Sequence, residues 1–249
     1  MILHLLFMLA AALATFTQVL TGFAFGLVFL ALVAAAHLAP LPEAANVVNV
    51  MVLANAVLLV RRWPGLPKGM SSGLFVSSLL GVGAGVAMLS WMRGDSVVIL
   101  RLLLGIAVLA CSLLLIGARK QRAVISGTSS FLFYGGLSGV MGGLFASAGP
   151  PVVFHLYRQP LQASTIRDTL LVLFAVNAIL RLLLVVPQGG FNVESVHLSL
   201  EALPVVLALS WACKRRPPKL SPTMVKRVVF VLLACAGLSL VVPAAFALL

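Results

Sequence analysis

Acidic side chains are scarce in this chain: five among 249 residues, against 17 lysines and arginines. Glu43, Asp95, Asp168, Glu194 and Glu201 all fall at or near the ends of apolar segments. An interior so poor in carboxylates argues against a dedicated multivalent-cation site, which needs charged oxygen ligands. None of the five pairs with a histidine at metal-ligand spacing on one helix face, so neither a metal nor a bound cofactor is expected. Cysteine is scarce too. Cys111, Cys213 and Cys235 lie within or at the ends of apolar segments and form no CxxC pair, which disfavours a thiol–disulfide carrier and a structural disulfide. No polar stretch is long enough for a separate aqueous domain. A membrane-embedded hydrolase would need a nucleophile with a base beside it, and the nearest approach to one, Ser147 and His155, spans a double proline. No catalytic residue is assigned, and the chain does not read as an enzyme.

What remains is apolar. Hydrophobic residues make up 62% of the chain, and runs near the ~20 residues that cross a bilayer recur throughout. The fold class is therefore an all-α polytopic membrane protein. The net charge of +12 sits in short loops between apolar segments, as the positive-inside bias requires, and implies no nucleic-acid partner. The N-terminal MILHLLFMLAAALATF has no basic region ahead of its apolar core and reads as a retained membrane helix. Further spans are expected at about 43–60, 69–92, 96–117, 162–186, 196–213 and 225–248.

Between the 96–117 and 162–186 spans lies GGLSGVMGGLFASAGPPVVFHLY, Gly135 to Tyr157, apolar but punctuated by glycines and a double proline. Proline lacks the N–H that a continuous helix uses, so the chain is expected to open near Ala148–Pro151. Broken helix at membrane depth is tolerated where it lines a cavity, and in transporters it marks the substrate site. The alternative is a glycine face for close helix packing. The 2–38 region is also too long for one straight span and is interrupted around Thr21–Gly26.

The second half repeats the first. Ala54-Asn55-Ala56-Val57-Leu58 recurs as Val176-Asn177-Ala178-Ile179-Leu180, a shift of 122 that also sets Phe23-Ala24 on Phe145-Ala146. Three basic loops, 61–68, 119–122 and 214–219, share one side only if an even number of crossings separates Arg122 from Lys214. The Gly135–Tyr157 region must then enter and return on the same side, as a hairpin. Each repeat (1–122 and 123–249, together one membrane domain) becomes a broken-helix hairpin plus three transmembrane helices, and the odd count inverts one repeat relative to the other. Loops assigned outside carry Glu43, Arg93 with Asp95, and Glu194 with Glu201, with no positive excess.

A half-helix starting after a break aims unpaired N–H groups and its positive dipole end at whatever sits there, so the equipment suits an anion. Candidate binding residues are Thr17, Gln18, Thr21 and Gly22 at the first break and Ser147, Ala148, Gly149 and Pro150 at the second, with Ser138 assigned to packing. Asn55 and Asn177, mid-span and repeat-equivalent, are placed either beside the tips or in helix–helix hydrogen bonds. His155, Arg167 and Asp168 are candidates for a gate or for coupling. Arg101, Arg167, Arg181 and Arg227 sit nearer segment ends than middles, where arginines snorkel to the interface.

The second hairpin ending in Ala148-Gly149-Pro150-Pro151, the duplicated layout and the short basic loops resemble the TauE/SafE-type sulfite exporters. The first break, Thr21-Gly22-Phe23-Ala24-Phe25-Gly26, is poorer in glycine than that family's pattern and lacks a nearby proline. The resemblance implies export of sulfite or a small organosulfonate such as sulfoacetate across a bacterial inner membrane, by a chain compatible with a homo-oligomer. Another small inorganic or carboxylate anion is the alternative cargo, and a non-transporting membrane scaffold the alternative of a different class.

Overall fold

The computed structural model describes residues 2–60, 65–91, 96–117 and 121–216, and residues 230–231, 233–235, 237–238, 240–242 and 245–246 of the C-terminal stretch. Arg61, Arg62, Arg93, Asp95, Arg119, Lys120, Lys219 and Arg227 lie outside the described residues, as does the start of the last expected span. The same holds for the side chains of Lys68, Arg101 and Cys111.

Among the described residues nine helices have defined bounds, in order α1 (Ile2–Thr21), α2 (Phe25–Ala35), α3 (Leu41–Leu59), α4 (Lys68–Trp91), α5 (Ser96–Gly117), α6 (Thr128–Phe145), α7 (Gly149–Tyr157), α8 (Ala163–Val185) and α9 (Val193–Arg215). No strand occurs among the described residues. Among the described residues five helices are long and apolar enough to cross a membrane: α1, α3, α4 from Gly69, α8 and α9. α2 and α7, at 11 and 9 residues, are too short to cross.

Hydrogen bonds at the two ends of the bundle order the elements. At one end His4 of α1 meets Glu201 of α9 at 2.9 Å, and Asn192, the N-cap of α9, donates to Glu43 of α3 at 3.0 Å. At the other, Lys214 donates to the Leu58 carbonyl, the Tyr157 hydroxyl donates to the Thr21 carbonyl at 2.9 Å, and the Arg122 N–H donates to the Arg158 carbonyl at 2.7 Å. The first is an acidic end; the second gathers Arg122, Arg158 and Lys214–Arg216 and is basic. α7 folds back along α6, since Ser126 N–H reaches Gln159 and Ser130 approaches His155. α2 likewise folds back on α1, with the rings of Phe7 and Phe29 edge-to-face at 5.2 Å. α2 is buried on nearly every side, as an 11-residue helix of Phe, Leu, Val and Ala with no polar face must be.

The tightest helix contact is α4 on α6. A Cβ added at Gly81 would come within 2.9 Å of Gly139 Cα, and one at Gly143 within 2.8 Å of Gly85 Cα. Gly135, Gly139 and Gly143, four residues apart, form one stripe against Ser78, Val82 and Gly85. These glycines serve backbone-to-backbone packing, which in lipid relies on such close approach because apolar helix faces gain little from leaving lipid. The packing reading of the glycine-rich stretch therefore holds for α6, and the break comes after it.

Candidate functional site

At the first break, the Thr21 hydroxyl lies 2.7 Å from the Thr17 carbonyl and 2.8 Å from that of Phe23, and accepts from the Phe23 N–H at 3.3 Å. Gly22 and Ala24 are left-handed, with φ of 81° and 76°. A side chain at Gly22 would strike the stem of Arg167, 2.9 Å away. Thr21 and Gly22 are thus held between Tyr157 and Arg167 near the basic end. The hydroxyl of Thr17 is turned back to the Leu13 carbonyl at 2.8 Å.

At the second break, Ala146 is left-handed (φ 53°) and α7 begins at Gly149. The chain opens at Ala146–Ala148, earlier than the expected Ala148–Pro151. Pro150 and Pro151 do not break a helix; they start one, where a missing N–H has no intrahelical partner to lose. The Ser138 hydroxyl fixes the opening by donating to the Ala148 carbonyl.

The two breaks cross. A Cβ at Gly26 would lie 2.9 Å from Ser147 Oγ, and one at Gly149 would lie 3.3 Å from Leu27. The N-termini of α2 and α7 therefore begin in mutual contact, and their positive dipole ends converge. Their donors are unequal. Phe25, Gly26 and Leu27 occupy the first turn of α2 and have no intrahelical acceptor, whereas Pro150 and Pro151 leave α7 with few N–H groups. Backbone donors at this crossing come chiefly from α2, the half without proline.

Both asparagines are buried and bonded across helices. Asn55 donates to Gln18 Oε1 of α1 at 2.6 Å and accepts from the Ser210 hydroxyl of α9 at 2.6 Å. Asn177 and Ser78 of α4 share a pair of contacts at 2.7 and 3.1 Å. The spacing brings Gln18 and Asn55 together as a buried pair.

The gate candidates separate. Arg167 packs against Gly22. His155 instead sits against α6, edge-on to Phe131 and stacked on Tyr134, both at 4.6 Å, with its Nδ1 3.5 Å from Ser130. Its Nε2 is buried with no hydrogen-bond partner among the described residues. Asp168 is half-buried. Ser147 precedes α7 and His155 lies near its C-terminal end, so the nucleophile–base pair considered from sequence does not form.

Arg181 departs from expectation. It does not snorkel: it is 2% exposed, its Nε donates to the Gly143 carbonyl at 2.9 Å, and a terminal nitrogen donates to Asn46 Oδ1 at 3.2 Å. Asn46 in turn donates to the Gly190 carbonyl at 2.7 Å and to Ser195 at 3.0 Å. The sequence signal was present in outline, since Arg181 follows Asn177 by four residues and shares its helix face. Among the described residues no group of three metal-ligating side chains occurs.

The profile described as "Sulfite exporter TauE/SafE" matches residues 7–240. A curated relative, the probable sulfite/organosulfonate exporter TauE of Cupriavidus necator, is 31% identical over 234 residues, covering 92% of this chain and 90% of its own. No solved structure matches. A bundle of apolar helices interrupted at two breaks, matched to that family along nearly its whole length, makes this chain a member of the sulfite exporter TauE/SafE family.

Proposed function

We propose that this protein is a secondary transporter that exports a small sulfur-containing anion, sulfite or a small organosulfonate such as sulfoacetate, across the bacterial inner membrane by alternating access. The observation that carries the reading is the crossing of the two broken helices, Gly26 against Ser147 and Leu27 against Gly149. Converging helix N-termini in a carboxylate-poor interior favour a small oxyanion over a cation. The name of the relative supports sulfur as the central atom.

Two inverted repeats supply the moving parts. The left-handed residues Ala24 and Ala146 stand 122 positions apart, as do Asn55 and Asn177. α1 packs on α9 as α6 packs on α4, and α3 meets α8 between them. Asn55 reaches α9 while Asn177 reaches α4, so each asparagine bonds the third long helix of the other repeat. On this reading the basic end is cytoplasmic, and a negative interior drives the anion outward. The anion rests at the crossing, contacted by Thr21, Gly22, Ser147, Ala148, Gly149 and Pro150. Thr17, Gln18, Asn55 and Asn177 flank it. Arg167, beside Asp168, guards the cytoplasmic approach, and His155 sits apart from it against α6.

The test is anion flux in proteoliposomes with sulfite, sulfoacetate, sulfate and acetate, comparing wild type with Asn55→Ala and Asn177→Ala. Selective sulfite or sulfonate flux, lost in both variants, is the expected result. Flux that survives both substitutions would assign the asparagines to helix packing and leave the backbone at the crossing as the site. Well-folded protein that moves none of these anions would overturn the exporter reading.

A further inference from the structure

We propose that Arg181 is the counter-charge of a second anion station, on the acidic-end side of the crossing, where the transported oxyanion is held after it leaves the broken-helix tips. This rests on the anion-transport reading and adds a site to it. Arg181 lies in the second-last turn of α8 and is among the largest fully buried side chains of the chain. Among the described residues no carboxylate lies within ion-pair distance of it. A buried cation without a carboxylate is retained in a membrane interior only where something else answers the charge.

What answers it now is partial. Gly143 belongs to the last turn of α6, so its carbonyl lacks an intrahelical donor, and Arg181 fills that place. The end of a helix dipole amounts to about half an elementary charge, so the guanidinium stays under-neutralised. Its second partner, Asn46, is neutral and is itself held by Gly190 and Ser195. The group is fixed in place without being cancelled. A guanidinium has five N–H donors, and the two bonds described use two of them.

The Arg181 side chain also borders a small space. Arg181 lines a cavity of ≈ 20 Å³ walled by Leu30 of α2, Ala45 of α3, Leu89 of α4, Leu104 of α5 and Leu144 and Phe145 of α6. Every other wall residue is apolar, and the cavity in this conformation matches one water molecule in size. Its walls come from both proposed repeats, so a displacement of one against the other widens it beside the Arg181 side chain. The repeat-equivalent position of Arg181 is Leu59, an apolar residue in a buried cluster. Packing at this point of the fold is therefore met by leucine, and the arginine answers to something else. Guanidinium is also the side chain whose planar fork matches the oxygens of a sulfite or sulfonate group.

The experiment combines thermal unfolding in detergent, titrated with sulfite, sulfoacetate and sulfate, with proteoliposome flux, on wild type, Arg181→Gln, Arg181→Lys and Leu89→Phe. Gln can still donate to the Gly143 carbonyl but carries no charge; Lys keeps the charge; Phe at 89 fills the cavity and leaves the guanidinium alone. The expected result is that sulfite raises the wild-type melting temperature, that Arg181→Gln and Leu89→Phe weaken the apparent sulfite affinity by ~10-fold or more, and that Arg181→Lys stays within ~3-fold. A purely structural arginine would lower the melting temperature of the Gln and Lys variants without anion and leave the anion-dependent increment unchanged, which would overturn the proposal. If Arg181→Gln does not fold, an unchanged affinity in Leu89→Phe overturns it equally. Wild-type flux whose sulfite KM is unaltered in Arg181→Gln sinks the station and spares the exporter. Anion binding lost in Arg181→Gln, with no wild-type flux at all, sinks the exporter and spares the station.

Discussion

The buried polar side chains form short, closed sets rather than one network. Thr15 and Thr17 return their hydroxyls to carbonyls four residues back, which keeps them silent toward neighbouring helices. Gln18, Asn55 and Ser210 do the opposite and join α1, α3 and α9 at one point. Asn177 and Ser78 join only α8 and α4. The two asparagines stand 122 residues apart, yet removing them has different consequences. Asn55→Ala strands the Gln18 amide oxygen and the Ser210 hydroxyl in an apolar interior, at a cost of about 1–3 kcal/mol, while Asn177→Ala strands one hydroxyl that can turn back to its own helix. Denaturant titrations of the two variants in mixed micelles should rank Asn55→Ala as the more destabilised. Equal losses would mean that the three-helix junction gives no more stability than the two-helix one. The asparagines were legible from the duplication alone. Arg181 was not, because its distance from a helix end suggests snorkelling, and only the fold shows that the orphan carbonyl of Gly143 and the amide of Asn46 sit where its head must go.

At the scale of elements, composition and periodicity located the long helices well. α3, α5 and α8 begin and end within about two residues of their expected bounds. The finer reading of the second hairpin was shifted, for a physical reason. The sequence sets the break at Gly-Pro-Pro, but proline is at home in a first turn, and the left-handed residue that breaks the chain is an alanine three positions earlier. No residue type announces such an alanine; it is held there by the contact between Gly26 and Ser147 and by the bond from Ser138 to Ala148. The glycines of α4 and α6 divide between close packing and open space. Gly139→Ala would press a methyl into the α4 backbone around Ser78, and a loss of about 1–3 kcal/mol is expected. Gly83 lies on α4 with none of the described residues within 4 Å of an added Cβ, so Gly83→Ala should be neutral or stabilising by about 0.5–1 kcal/mol. Melting both variants in detergent checks the pair. A Gly139→Ala protein as stable as Gly83→Ala would show that the α4–α6 contact is looser than this geometry.

At the scale of the whole molecule, the two broken helices constrain each other at their crossing. α2 is buried almost throughout, and α7 is buried at its start, so neither tip can shift without its neighbour yielding. Packed elements of this kind exchange between discrete arrangements rather than deform gradually. If one repeat rocks against the other, the distance between Gly26 and Ser147 must change during each cycle, because the two residues belong to different repeats. A Cβ at Gly26 would lie 3.0 Å from the Ser147 Cβ, close enough that a relaxation of about 0.5–1 Å reaches the ~3.8 Å typical of a disulfide. The Gly26→Cys/Ser147→Cys variant, with Cys111, Cys213 and Cys235 replaced by serine, should therefore cross-link on oxidation. Sulfite flux in proteoliposomes should fall by ~10-fold or more on cross-linking, by the same arithmetic that equates tenfold with about 1.4 kcal/mol, and return on reduction. The reduced form serves as its own folding control. Complete cross-linking with undiminished flux would mean that the tips travel together, and the moving boundary would then have to be sought along α3, α8 and their contacts with α9 and α4.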